Sequence, residues 1–209
     1  MKKHRTKLCA LLVACALFAP ACGRSAAEQK KLDVKLCFAA FDADLNAMKE
    51  LLAKGADPNT KECGEYAKVG YPSPLFFALV GYRKEVKDLL AGSEMYDSGD
   101  NDRRRIAVLA LLSAGANPNA KSETKAGETP LMYAEFLKSS SLVRALTEGG
   151  ADPNARDAQG RTARDYGALK GEELQQMATG HVVVGLAIAM AQKDAAERDV
   201  VDEVAPGRK

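Results

Sequence analysis

A pentapeptide that ends in Pro-Asn recurs three times, and each copy closes an apolar helical pattern. The copies are Gly55–Asn59, Gly115–Asn119 and Gly150–Asn154. Glycine directly after a helical pattern is typical of a helix end, because the left-handed backbone required there disfavours a Cβ. The proline three residues later prevents the helix from resuming. One copy would mark an ordinary helix end, whereas three copies indicate a repeat architecture.

The stretch before the third copy carries the fullest pattern. Thr129 is placed to cap a helix, Pro130 fits the first helical position, and Leu142–Leu146 predicts a second helix. The distance from the first apolar residue to the glycine is 19 residues in this unit (Leu131–Gly150) and 19 in the first (Leu36–Gly55). The first unit is therefore expected to hold two short antiparallel helices in the same register.

These residues resemble the ankyrin repeat, a unit of about 33 residues that reads Asp-x-x-Gly-x-Thr-Pro-Leu, two helices, then Gly-Ala-Asp-x-Asn. Asp157–Ala163 opens a fourth unit in the same way, so the resemblance covers residues 33–178. It implies an all-α solenoid of about four helix-turn-helix repeats. We expect an extra C-terminal capping helix and a tail in residues 179–209, because a terminal repeat must cover the open core.

The second unit departs from this pattern. It opens at Ser73–Leu75, yet Gly115 lies 40 residues after its leucine, which predicts an insertion that interrupts the unit near residues 92–102. Ile106–Leu112 then predicts its outer helix. The turn before the unit, residues 61–71, is also longer than usual, and such insertions emerge as loops on one face of a stack.

The N-terminal segment predicts export to the periplasm. A basic stretch, Lys2–Lys7, precedes an apolar run, Leu8–Phe18, that is too short to span a bilayer as a permanent helix. We expect residues 1–21 to be a signal peptide and residues 22–32 to be a linker. Cys22 also resembles the start of a bacterial lipoprotein, so simple cleavage and lipidation of Cys22 with membrane anchoring both stay open.

Export bears on the remaining cysteines. Cys37 and Cys63 are the only two that follow Cys22. In an oxidising compartment they could form a disulfide that closes a loop of 26 residues. Two free thiols are the alternative.

Composition and motifs argue against several kinds of chemistry. The net charge of +2 comes from the basic N-terminus, so the rest of the chain gives no reason to expect nucleic acid. No phosphate-binding loop or calcium loop has the required order, and no cofactor or metal is expected. A small enzyme that uses Cys37 or His181 is disfavoured, because neither residue has a recognisable acid–base partner.

Numbered from the first core position (Leu36, Leu75, Leu131 and Arg164), every repeat carries an aromatic residue two places later. These are Phe38, Phe77, Tyr133 and Tyr166. We expect them to pack between adjacent repeats rather than to form a recognition stripe. Two charges, Arg164 and Glu135, stand at core positions. They indicate either a polar cap or a surface that faces a partner.

The resemblance implies that the residues five and six places after the first core position are exposed on a concave face. Turn tips are the second candidate surface. The candidate partner-binding residues are Phe41, Asp42, Val80, Phe136, Leu137, Leu169 and Lys170 on the concave face, and Tyr66, Tyr71, Lys125, Glu128, Gln159 and Arg161 on the turns. For the apolar residues among them, local packing against the long loops is the alternative.

The predicted function is a non-catalytic module that binds a partner protein in the bacterial envelope. Neutralising a toxin and supporting an exported enzyme are both compatible with it. A lipid-anchored structural component is the alternative. If the rings of Phe41 and Phe136 are exposed, replacing both by glutamate should weaken binding and leave the helical content intact.

Overall fold

The computed structural model describes residues 24–63, 70, 73–81 and 100–170, with only the backbone described at 100–102. These residues form seven helices and no strand. The helices are α1 (Ala26–Phe41), α2 (Leu45–Ala53), α3 (Pro74–Val80), α4 (Asp100–Ser113), α5 (Pro130–Phe136), α6 (Ser140–Glu148) and α7 (Ala163–Ala168).

The helices stack in two layers. The inner layer runs α1, α3, α5, α7, and each of these helices packs on the next. The outer layer runs α2, α4, α6 in the same order, and α2, α4 and α6 each cover the inner helix of their own unit. The expected all-α solenoid of helix pairs is confirmed for these units.

Helix α1 begins earlier than the sequence pattern predicted. Ser25 caps it by accepting a hydrogen bond from the Glu28 N–H, and the Glu28 carboxylate accepts one from the Ser25 N–H (2.8 Å). This reciprocal pair satisfies two N–H groups that a helix start leaves open. Part of the expected linker 22–32 is therefore helical. The capping box in this polar segment was not identified from the sequence.

The three Gly-Ala segments end their helices as predicted. Gly55, Gly115 and Gly150 have φ values of 86°, 91° and 90°, a left-handed backbone that a Cβ would strain. In each copy the following alanine N–H donates to a carbonyl in the last helical turn at 2.9–3.0 Å; for example, Ala56 donates to Leu51. The helix ends are therefore closed by backbone hydrogen bonds.

The last asparagine of the segment joins successive units. Asn59 donates from Nδ2 to the Gly115 carbonyl (2.8 Å), and its Oδ1 accepts from the Asn117 N–H (2.7 Å). Asn119 makes the same two bonds to Gly150 (3.1 Å) and Asp152 (2.7 Å). The first and second units are therefore joined by the same pair of hydrogen bonds as the second and third units. The insertion in the second unit does not change this register.

At the N-terminal end, α1 supplies the bonds that a preceding unit would make. Gln29 donates from Nε2 to the Gly55 carbonyl (3.0 Å), and Asp33 Oδ1 accepts from the Asp57 N–H (2.9 Å). The two side chains are also hydrogen-bonded to each other (2.8 Å). The extended first helix therefore closes this end of the row of inter-unit bonds.

The aromatic residues at the third position of each unit lie in the core, as expected. Phe77, Tyr133 and Tyr166 are buried and Phe38 is half-buried. The rings of Phe38 and Phe77 meet edge to face with their centroids 6.3 Å apart, a favourable geometry for aromatic pairs. The Phe38–Phe77 contact therefore joins the first two units, and the burial of the other rings shows that these residues do not form a recognition stripe.

Cys37 and Cys63 form a disulfide, with an S–S distance of 2.09 Å and a Cα–Cα distance of 5.6 Å. The alternative of two free thiols is thereby excluded, and Cys37 is not available as a nucleophile. The bond joins the core side of α1 to the turn that follows the first Gly-Ala-Asp-Pro-Asn segment.

Arg104 lies in α4, two residues after the predicted insertion, and is buried against the end of α3. Its guanidinium donates to the carbonyls of Leu79 (3.2 Å) and Gly81 (2.6 Å). These are carbonyls that a helix leaves open at its C-terminus, where a positive charge is also favoured by the helix dipole. The inner helix of the second unit is thus closed by a side chain from its outer helix.

We expect Arg104→Met to lower the free energy of unfolding by about 2 kcal/mol, because Met leaves the two buried carbonyls unpaired. Urea denaturation followed by circular dichroism measures the loss. Arg103→Met is the matched control, since Arg103 is exposed and its replacement should change stability by less than about 0.5 kcal/mol. Equal stability of the two variants would contradict the role of Arg104.

Several expectations lie outside the described residues. They are the signal peptide, Cys22, Tyr66, Tyr71, most of the insertion 92–102, His181, the outer helix of the fourth unit and the C-terminal capping helix. Within the described ranges, none of the helices has the length and apolar character needed to cross a membrane.

Candidate protein-binding surface

The turns between units are joined to one another through their backbones. The Glu123 N–H donates to the Gly70 carbonyl, and the Ala158 N–H donates to the Ala126 carbonyl, both at 2.8 Å. Gly70 has φ 98°, and a Cβ there would lie 2.5 Å from the Thr124 side chain, so the close approach requires glycine. Successive turns are therefore held beside each other as a row.

Two predicted contact residues are exposed on this row. Lys125 and Gln159 lie on neighbouring turns, each next in sequence to a residue of the Ala126–Ala158 hydrogen bond, and both are open to solvent. We call Lys125 and Gln159 the tip surface. Their positions are fixed by the paired backbones beneath them, while their side chains remain available.

Glu128, predicted to be exposed on a turn, is buried. Its carboxylate accepts hydrogen bonds from the hydroxyls of Ser122 (2.5 Å) and Thr124, and its N–H donates to Ser122 Oγ (2.9 Å). The prediction of exposure is wrong because the side chain turns inward to hold its own turn together. The two residues whose hydroxyls donate to the carboxylate precede Glu128 by six and four residues.

Arg161 is also engaged within the chain. It donates from Nε to Asp157 Oδ2 (2.8 Å) and from Nη2 to the Tyr166 hydroxyl (2.9 Å). Tyr166 in turn donates to Asp157 Oδ2 (2.9 Å), and the N–H groups of Gln159 and Arg161 donate to Asp157 Oδ1 at 2.9 and 2.8 Å. Arg161 is half-buried in this cluster, so only part of it is open to a partner.

The cluster shifts the pKa values of its members. Burial alone raises the pKa of Asp157, but the hydrogen bonds from Arg161 and Tyr166 outweigh it and hold that pKa below its usual value. Burial and the hydrogen bond to Asp157 both raise the pKa of Tyr166. The ionised carboxylate and the neutral phenol are therefore the favoured forms at neutral pH.

Asp157 should stabilise the fold in a pH-dependent way. Because its pKa is lower in the folded chain, the stabilisation is present above the unfolded pKa of about 3.9 and is lost as pH falls through the folded pKa. We expect Asp157→Asn to cost about 1–3 kcal/mol at pH 7. Paired urea titrations of both proteins should show this difference shrinking below about pH 4. A difference that does not change with pH would contradict the assignment.

On the inner helices, the fifth position after the first core residue faces inward. Phe41 and Phe136 are each 2% exposed and Leu169 is 8% exposed. The Phe41 ring packs on Phe77 (centroids 6.3 Å apart), and the Phe136 ring packs on Tyr133 (5.8 Å). The expectation that these side chains are exposed is wrong. The alternative, that these side chains are buried by local packing, is correct. Their packing partners Phe77 and Tyr133, however, lie on inner helices and not on long loops.

In the first, third and fourth units the sixth position is more exposed than the fifth, whereas in the second unit Gly81 at the sixth position is buried. Asp42 and Lys170 are open to solvent and Leu137 is half-buried, as is Val80 at the fifth position of the second unit. We call Asp42, Val80, Leu137 and Lys170 the rim surface. Each lies at or just after the end of an inner helix, so the stacking of the inner layer sets their spacing.

The two charges at core positions are accommodated differently. Arg164 is exposed, whereas Glu135 is half-buried with its carboxylate against Gly167, where an added Cβ would lie 2.8 Å from Oε2. Glu135 and Gly167 line a groove of about 580 Å³ beside α6, together with Lys138 and Arg144. Lys138 was not among the predicted partner-binding residues. It is exposed at φ 52°, and no feature of the sequence marks this conformation for a lysine.

The match to known proteins agrees with this geometry. Residues 36–157, more than half of the chain, match the family model described as ankyrin repeats, in three copies. The chain belongs to the ankyrin-repeat family. It is also similar to an ankyrin repeat-containing protein of Treponema pallidum (strain Nichols), with 34% identity over 85 residues. The match covers 41% of this chain and 28% of that protein, so the chain spans well under two thirds of its relative.

Ankyrin repeats generally mediate protein–protein interaction, and the family is typically non-catalytic. In the described part of the chain, no group of acidic, His and Cys side chains could hold a metal ion. Both histidines, His4 and His181, lie outside that part. The described residues form a stacked scaffold that presents two sets of solvent-accessible side chains.

Proposed function

We propose that this ankyrin-repeat protein is a non-catalytic binding module of the bacterial cell envelope, which holds a partner protein through its tip surface and rim surface. The observation that carries the proposal is the contrast within each turn. The buried acids Glu128 and Asp157 make hydrogen bonds within their own turns, whereas Lys125 and Gln159 are exposed to solvent.

Preorganisation makes these turns suitable for binding. A loop that must be ordered on association loses affinity to that ordering, whereas turns already joined by backbone hydrogen bonds do not. Two ion pairs, Lys30–Glu62 (2.5 Å) from α1 to a turn and Lys61–Glu123 (3.6 Å) between turns, are exposed and contribute little to stability. Their charges can steer the approach of a partner protein before it docks.

The exposed cations suggest the chemistry of the partner. Within the described residues, Lys125 on the tip surface and Lys170 on the rim surface form no ion pair. Together with the half-buried Leu137 and Val80, they suit a partner that combines acidic groups with an apolar patch. Support of an exported enzyme and neutralisation of a toxin are both compatible with this surface.

The envelope location is supported by the N-terminal pattern and by the Cys37–Cys63 disulfide, since such bonds persist in oxidising compartments. Fractionation of cells that make the protein tests it. If Cys22 carries a lipid, Cys22→Ala should move the protein from the membrane to the soluble periplasmic fraction. Recovery in the cytoplasm with the signal uncleaved would contradict export.

A lipid-anchored structural component is the second candidate, favoured by Cys22 following a short apolar run. Site-specific photo-crosslinking separates it from a binding module. A crosslinker at Lys125 or Gln159 should capture one discrete protein, whereas one at Lys49 on α2 should not. Crosslinks from both faces to many envelope proteins would favour the structural role.

A further inference from the structure

The Cys37–Cys63 disulfide lies inside the first ankyrin unit rather than on its surface. Both cysteines are 0% exposed. The loop that the bond closes contains the end of α1, all of α2 and the following turn. The first unit is therefore packed around its own cross-link.

Chemical access to this bond requires the first unit to open. Thiol–disulfide exchange proceeds by direct attack of a thiolate on a sulfur, through a mixed disulfide. In the folded chain, Phe38 and Phe41 of α1 pack against Phe77 and hold the first unit on the second. Neither an oxidant nor a reductant can reach the buried sulfurs while this packing persists.

We infer that the bond is made by thiol–disulfide exchange with a disulfide-bearing thiol oxidant while the first unit is still open, and that packing of this unit then shields it. The chain must therefore meet the oxidant before its N-terminal unit folds. This order of disulfide formation and folding does not depend on partner binding. The inference would therefore stand even if the protein captured no partner.

The step balances as an exchange of two electrons. One cysteine thiolate attacks the oxidant's disulfide, forms a mixed disulfide and displaces one oxidant thiolate. The other cysteine thiolate attacks the chain sulfur of the mixed disulfide, forms the Cys37–Cys63 bond and displaces the second oxidant thiolate. The two chain thiols are oxidised, the oxidant is reduced to a dithiol, and the two protons pass to it.

The rate of reduction tests the shield, because formation and reduction by exchange use the same route in opposite directions. The oxidised mature chain is treated with dithiothreitol with and without denaturing urea, and free thiols are counted by a maleimide gel shift. Glutathione disulfide in the same solutions corrects for the effect of urea on the chemistry. We expect the disulfide of the folded chain to be reduced at least about 30-fold more slowly than that of the urea-unfolded chain. This ratio is equivalent to an opening cost of about 2 kcal/mol. A smaller ratio would overturn the inference.

Two variants test whether the first unit is the shield. Phe77→Leu weakens the contact with Phe38 and Phe41 and should accelerate reduction in buffer. Leu142→Ala makes a comparable core defect in the third unit and should accelerate it less, since repeats interact mainly with their neighbours. If Phe77→Leu has no effect, or no more effect than Leu142→Ala, the first unit is not the shield and the inference fails.

Discussion

Replacing Phe41 and Phe136 together by glutamate should unfold the protein. Each ring is 2% exposed and packs on another ring of the inner layer. Removing a buried Phe costs about 3–5 kcal/mol, and two such losses approach the total stability of an ordinary domain, about 5–15 kcal/mol. The buried, unpaired carboxylates add a further cost. Far-UV circular dichroism should therefore show loss of helix and no cooperative thermal transition.

The matched control places the same charges on the surface. Lys35→Glu with Lys138→Glu changes one residue on α1 and one just after α5, and both are exposed. This pair should keep the helical signal and the transition of the unaltered protein, because substitutions on the surface usually change stability little. A Phe41/Phe136 double variant that melts like this control would show that the two rings do not pack in the core.

Removing the disulfide should have the second largest effect. The Cys37→Ala, Cys63→Ala double variant frees a loop of 26 residues in the unfolded chain. On the chain-entropy account this lowers the free energy of unfolding by about 3 kcal/mol. With a urea dependence of about 1–3 kcal/mol per molar, the urea midpoint should fall by about 1–3 M.

Hydrogen exchange should locate that loss. Amides of α1 and α2 should lose more protection than those of α5 and α6, because the freed loop belongs to the first unit and stability in a repeat stack is local. Cys22→Ala serves as the control for loss of a cysteine outside the loop. An unchanged urea midpoint in the Cys37/Cys63 double variant would contradict a stabilising role for the bond.

The helix ends and their register could be predicted from the sequence because each depends on a local rule. Glycine with φ near 90° and proline three residues later close a helix whatever surrounds them, so three copies fixed the repeat and its units. The caps at Thr129 and the third-position aromatics followed from the same register. The disulfide was one of two alternatives, because pairing depends on which residues meet in space.

The surface was less predictable, because exposure depends on a rotation of about 100° per residue along a short helix. Phe41 and Asp42 are neighbours, yet one side chain packs on the next unit and the other reaches solvent. Glu128 showed the same limit, since its burial depends on hydroxyls that the turn brings to it. The bridging role of Asn59 was missed because its partner, Gly115, lies 56 residues away.

The most direct measurement is affinity capture by the mature chain from an envelope extract of the cells that make it. Two variants are compared with it: Lys125→Glu with Gln159→Arg on the tip surface, and Lys49→Glu with Arg103→Glu on the outer helices. All four residues are exposed, so each variant should fold. We predict one protein held by the unaltered chain and by the outer-helix variant, and lost with the tip variant. No captured protein even after mild crosslinking, or equal retention by all three chains, would contradict a binding module that works through its turns.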